Sequence, residues 1–76
     1  MANHFCCPCC GQPTYPVAPE NALAYICPVC YWENDLFAHT DDEPSDENRQ
    51  LTLNQARENY REFGISDPRL LENLRR

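Results

Sequence analysis

The chain has 76 residues and six cysteines, with six Arg and no Lys against twelve Asp and Glu, for a formal net charge of −6. A single domain of this size buries only about 60–65% of the surface its unfolded chain exposes, so an apolar core alone leaves it marginal. The acidic balance argues against nucleic-acid binding through a broad basic face, and no segment approaches the roughly 20 apolar residues of a membrane-spanning helix.

The lead Met1-Ala2-Asn3-His4-Phe5 runs straight into cysteines without the apolar stretch of a signal peptide. The cysteines are therefore expected to be reduced thiols of a soluble, cytoplasmic protein, where thiol pairs hold metal, and not the disulfide scaffold of a secreted one. Phe5 is expected against the first cysteine hook. His4 is expected at the surface, since better-spaced sulfurs follow it.

Those sulfurs come in two hooks, Cys7-Pro8-Cys9-Cys10-Gly11 and Cys27-Pro28-Val29-Cys30, with sixteen residues between Cys10 and Cys27. This is the spacing of a four-cysteine zinc site. Thiolates at i and i+3 reach one ion only across a tight turn, and Pro at the second position fixes φ for that turn. Gly11 supplies the positive φ that turns the chain away. Tyr31 holds the matching place in the second hook, a weaker turn signal. Cys6-Cys7-Pro8-Cys9 is a second possible register, but it puts Pro at the third position and loses the trailing Gly11. Cys7, Cys10, Cys27 and Cys30 are thus the expected ligands of one Zn²⁺, closed and structural, with Cys6 and Cys9 left as small buried or half-buried hydrophobes.

Between the hooks, residues 12–17 read as an extended edge interrupted by Pro13 and Pro16. Residues 18–22 read as a turn, and 23–26 as a short strand running into the second hook. With Tyr31-Trp32-Glu33 leaving that hook extended, a two- or three-stranded antiparallel ribbon is expected, which needs a cover on one face. Trp32 is the core residue that a helix covers. Residues 34–50 are polar and acidic and are expected as a solvated, mobile loop, with Leu36 and Phe37 tucked back onto the ribbon. The loop lacks the alternation and glycine of a calcium-binding EF-hand, and His39 has no partner identifiable in it.

A helix follows over residues 53–63. Thr52 with Gln55 forms a capping box, and Gly64 marks the stop. Leu53, Ala56, Tyr60 and Phe63 form its apolar stripe, with Gln55, Arg57, Glu58, Arg61 and Glu62 on the wet side. Ser66-Asp67-Pro68 signals a second, short helix over about 68–74 with an edge of Leu70, Leu71 and Leu74. Arg75-Arg76 is expected as solvated charge.

The first hook, the run Ile26-Cys27-Pro28-Val29-Cys30-Tyr31-Trp32-Glu33 and the run Leu53-Asn54-Gln55-Ala56-Arg57-Glu58-Asn59-Tyr60-Arg61-Glu62-Phe63-Gly64 together resemble the cysteine-rich CPCC family of small bacterial proteins. The resemblance implies a small zinc-ribbon-like metal domain of unassigned biochemical role. Many relatives carry a glycine-rich stretch where this chain has Glu47-Asn48-Arg49-Gln50.

The fold class expected is a small α+β metal-stabilised domain with zinc-ribbon or rubredoxin-like knuckles. It comprises a ribbon over 5–33, an acidic loop over 34–51 and a helical part over 52–76 of a single domain. No catalytic constellation is present, and two glycines in all leave no phosphate cradle. The leading function is a structural-zinc module that binds a protein partner. The alternatives are a rubredoxin-like iron protein for electron transfer and a thiol redox or metal-handling protein using Cys6 and Cys9.

Overall fold

The computed structural model describes residues 4–74. Met1-Ala2-Asn3, Arg75-Arg76 and the Asn73 and Leu74 side chains lie outside the described residues.

Each hook sits at the tip of its own minimal hairpin. Phe5 and Tyr15 exchange both backbone bonds (2.8 and 3.0 Å) around the first hook, and Ile26 pairs with Glu33 around the second. A third bridge joins Ser45 to Leu51. These are isolated pairings, so the expected sheet is not formed: no strand occurs among the described residues. The reason is local. Pro13, Pro16 and Pro19 offer no N–H to a ladder. Ala24 (φ 57°) and Tyr31 (φ 65°) take left-handed conformations that break an extended run on either side of the second hook.

Helix α1 spans Leu53–Phe63 with the anticipated capping box: the Gln55 N–H donates to Thr52 Oγ1 (3.0 Å) and the Thr52 N–H to Gln55 Oε1 (2.9 Å). It stops at Gly64, φ 76°, whose N–H reaches the Tyr60 carbonyl. Ala56 is fully buried against the cysteines and Trp32, and Leu53 and Tyr60 pack on that cluster. Phe63, expected on the same stripe, is 49% exposed, because the core ends one turn earlier. Beyond Gly64, Ile65 closes the core and the Ser66 N–H donates to the Cys30 carbonyl. A 3₁₀ turn over Pro68–Leu70 runs into helix α2, Leu71–Leu74.

Asp67 caps that turn. Its carboxylate accepts from the Arg69 N–H and pairs with the Arg49 and Arg69 side chains while only 1% exposed. Burial pushes its carboxyl up, but the two arginines outweigh this and hold it at about 2. A depressed carboxyl stabilises the fold above its ordinary value near 3.9 and loses that contribution only as pH falls toward about 2. The contribution is therefore constant through the neutral range. Both arginines are partly exposed, which limits it to about 1–2 kcal/mol. Asp67→Asn is expected to lower stability by that amount at pH 7, equally at pH 8, as read by urea unfolding.

The acidic segment also departs from expectation. It is anchored at three points, with Asn34, Ser45 and Asn48 buried and a 3₁₀ turn over Asp46–Asn48, while Asp41, Asp42, Asp46 and Glu47 stay exposed as expected. Leu36 is only half covered and Phe37 is 75% exposed, so neither tucks fully onto the ribbon. Arg49 (φ 57°) and Gln50 (φ 71°) both adopt left-handed backbone. A non-glycine residue there costs about 1 kcal/mol or more. Gln50→Gly is expected to raise the unfolding free energy, read by urea titration, by about 1 kcal/mol despite losing the exposed bond to Asp46.

Candidate metal centre

The two hooks have the same backbone. In the first, the Gly11 N–H donates to the Cys7 carbonyl (2.9 Å) and the Cys7 N–H to the Gln12 carbonyl (2.9 Å). In the second, the Tyr31 N–H donates to the Cys27 carbonyl (2.8 Å) and the Cys27 N–H to the Trp32 carbonyl (3.0 Å). Gly11 (φ 80°) and Tyr31 (φ 65°) fill the same left-handed place. The weaker signal at Tyr31 thus gives an equivalent turn, because the bonds around it hold a conformation that glycine adopts freely.

The turns bring the Sγ atoms of Cys7, Cys10, Cys27 and Cys30 within 4.8 Å of one another. Cys7 lies 3.6 Å from Cys30, and Cys10 lies 3.7 Å from Cys27, each contact crossing between hooks. Sulfurs about 2.3 Å from a tetrahedral ion are separated by about 3.8 Å, whereas a disulfide needs about 2.05 Å. The thiols are free. Cys7, Cys27 and Cys30 are buried and Cys10 is half-buried. Cys6 is exposed, contrary to its expected burial, because it precedes the turn and faces away from the core; Cys9 is buried.

Hydrogen bonds surround the sulfurs. The Cys9 N–H reaches Cys7 Sγ and the Val29 N–H reaches Cys27 Sγ, both at 3.4 Å, and Thr14 Oγ1 lies 3.1 Å from Cys27 Sγ. Burial pushes the Cys27 thiol up, but the Thr14 hydroxyl and backbone donors outweigh it and bring it to about 7. Burial holds Cys10 at about 11. Cys7 is raised well above the ordinary thiol range by the proton it shares with Cys30 and by burial. The Cys30 bond with Cys7 favours its thiolate, but Cys9 and burial carry it upward on balance. Tyr15 is fully buried with no hydrogen-bond partner for its hydroxyl. Burial, and then the neighbouring Cys7, lift its phenol far above the usual value.

This donor set fits a soft or borderline divalent cation: four sulfurs at tetrahedral spacing, N–H groups aimed at them, and an orphaned hydroxyl beside them. Helix α1 fixes the first hook from outside. The Arg57 Nε–H donates to the Pro8 carbonyl (2.9 Å), and Nη1 reaches Asp41 (2.8 Å), tying hook, helix and acidic segment together. Sequence reading put Arg57 on the wet side; its length carries it over the edge of the helix to the knuckle. Thr14 and Tyr15 were also not anticipated, since nothing in their local pattern marks a residue whose partners come from the folded hooks.

The arrangement defines a class: a small cysteine-rich domain whose core is a four-thiol cluster able to hold a metal ion, covered by one helix. Residues 5–76 match the family model described as Cysteine-rich CPCC, and the chain belongs to that family. No curated protein and no solved structure matches it. Among the described residues, no helix is long and apolar enough to cross a membrane.

Proposed function

We propose that Cys7, Cys10, Cys27 and Cys30 bind one structural Zn²⁺, and that the domain built on it is a cytoplasmic module for binding a protein partner. The observation that carries the first part is the mutual approach of four thiols from two distant turns, with cross-hook contacts of 3.6 and 3.7 Å. When bound, the cation supplies cross-linking, and four sulfurs leave it no open position for substrate. The ion's role is therefore structural and not catalytic.

A groove of about 210 Å³ supports the second part. Pro8, Trp32 and Leu53 contribute apolar surface to it, and Glu20, Asp35 and Glu43 contribute carboxylates. An apolar site with a few polar groups suits a protein side chain, and the net charge of −6 disfavours nucleic acid and anionic membrane.

Elemental analysis of protein isolated from cells tests the metal. One equivalent of zinc in a colourless protein is expected, retained when Cys6 and Cys9 are both replaced by Ser. One equivalent of reversibly reducible iron would overturn the assignment in favour of electron transfer. Loss of metal in the double variant would overturn the ligand set.

A further inference from the structure

The two hooks share one pattern of donors, and adjacent residues add to it. Cys7 and Cys27, the first cysteine of each hook, each accept from the backbone N–H two residues on. Thr14 adds a hydroxyl to Cys27 at 3.1 Å. Its neighbour Tyr15 is 0% exposed and is held at both ends. Its backbone pairs with Phe5, and its ring meets Tyr25 edge-on with centroids 4.9 Å apart. The phenol hydroxyl so fixed satisfies no acceptor, and Tyr15 belongs to the same buried cluster as Cys7, Cys27 and Cys30.

An orphaned buried hydroxyl is costly and rare. A thiol is a weak acceptor, while a thiolate is a strong one. Four thiolates around a divalent cation carry a net charge of −2 in a mostly buried site. Among the described residues, no Arg or His donates to any of the four sulfurs. Neutral N–H and O–H donors are what remain to spread that charge.

We propose that the Tyr15 hydroxyl donates to a thiolate of the loaded cluster and, with Thr14 on Cys27, forms a hydroxyl pair that tunes and tightens the metal centre. Tyr15 is thus a positioning residue for the ion and not merely core. The inference rests on the metal reading above. It goes further in assigning a role to two residues outside the hooks.

The test uses the full chain loaded with Zn²⁺ and titrated against a chromophoric chelator. Tyr15→Phe, which keeps the ring and its packing, is expected to bind Zn²⁺ about 10–100-fold more weakly, and Thr14→Val to weaken binding as well. Tyr60→Phe, at another aromatic packed on the same core, is expected to leave affinity within about 2-fold. In Co²⁺-loaded protein the thiolate charge-transfer bands are expected to shift in Tyr15→Phe and not in Tyr60→Phe, a signature that packing alone would not move. In wild-type protein loaded with ¹¹³Cd, a solvent-protected phenol proton coupled to the metal nucleus is expected. Unshifted bands with unchanged affinity in Tyr15→Phe would overturn the role of Tyr15 while leaving the metal site standing. Wild-type protein that takes up none of the three ions would remove both readings.

Discussion

Removing the cation at neutral pH should abolish the cooperative thermal transition. The reason lies in what the core is made of. Of the nine buried hydrophobic residues among the described residues, four are cysteines, and three of those belong to the thiol cluster, while Tyr15, Trp32 and Ile65 are the large side chains of the nine. Isolated bridges add almost no ladder. Structural zinc contributes about 10–16 kcal/mol of apparent binding free energy near pH 7, as large as the whole stability of an ordinary domain. Cys27→Ser should behave like the chelated protein, whereas Cys6→Ser, at an exposed thiol, should be neutral. A chelated sample that keeps a dispersed amide spectrum would refute this.

The same physics sets an acid limit, and its sign is fixed by the thiols. In the free cage Cys10 is held at about 11 by burial, and Cys7 and Cys30 are raised as well, Cys7 first by its shared proton with Cys30 and Cys30 by Cys9 and burial against that bond; only Cys27 is lowered, to about 7. Ligation requires thiolates, and unfolded thiols titrate near 8.5. The ligated sulfurs therefore act as groups with depressed values: their contribution is present above about 8.5 and is lost as pH falls. Four protons taken up on release make the loss about 5 kcal/mol per pH unit. The fold should unfold and lose its ion together near pH 5, more steeply than carboxylates alone allow. A shallow transition near pH 3, the same with and without chelator, would contradict it.

Asn48→Ala should be the most damaging substitution outside the cysteines, at about 2–4 kcal/mol. Asn48 is fully buried. Its Oδ1 accepts from the Glu33 N–H (2.9 Å), and its Nδ2 donates to the Glu33 carbonyl (2.7 Å) and to Ser45 Oγ (2.8 Å). One side chain thus completes both backbone groups at the exit of the second hook and anchors the acidic segment there. Truncation leaves the Glu33 N–H and carbonyl without their partner in a half-buried place, each carrying a desolvation cost, and takes one of the two bonds of the buried Ser45 hydroxyl. Asn48→Asp should be no better, since a carboxylate faces the Glu33 carbonyl with no proton to offer. Asn54→Ala, which removes two exposed bonds, one donated to Asp42 (2.7 Å) and one accepted from Arg57 (3.2 Å), is the control and should change stability by less than about 0.5 kcal/mol. Urea unfolding of the metal-loaded variants decides it; equal costs at positions 48 and 54 would mean the segment is not latched by Asn48.

Much of the molecule was legible because it is encoded locally. Helix α1 begins and ends where Thr52, Gln55 and Gly64 place it, since a cap is a matter of a few neighbouring residues. The hooks were legible for the same reason: Cys-Pro-x-Cys and Cys-Pro-x-Cys-Gly specify turns within five residues. Trp32 as a core residue followed from its place after a hook. The expected sheet was the main error. Extended segments are easily recognised, but whether they pair over more than one residue depends on prolines and left-handed positions on both arms at once.

What the sequence determines alone is the local grammar: two tight sulfur-bearing turns, one capped helix, and a chain too short and too acidic to rely on an ordinary interior. Tertiary structure decided which groups meet. Asn48 against Glu33, Arg57 against Pro8, Asp67 between two arginines, and Thr14 against Cys27 join residues from 2 to 49 positions apart. No periodicity marks such pairs, because a hydrogen bond across the fold depends on where two separately formed elements come to rest.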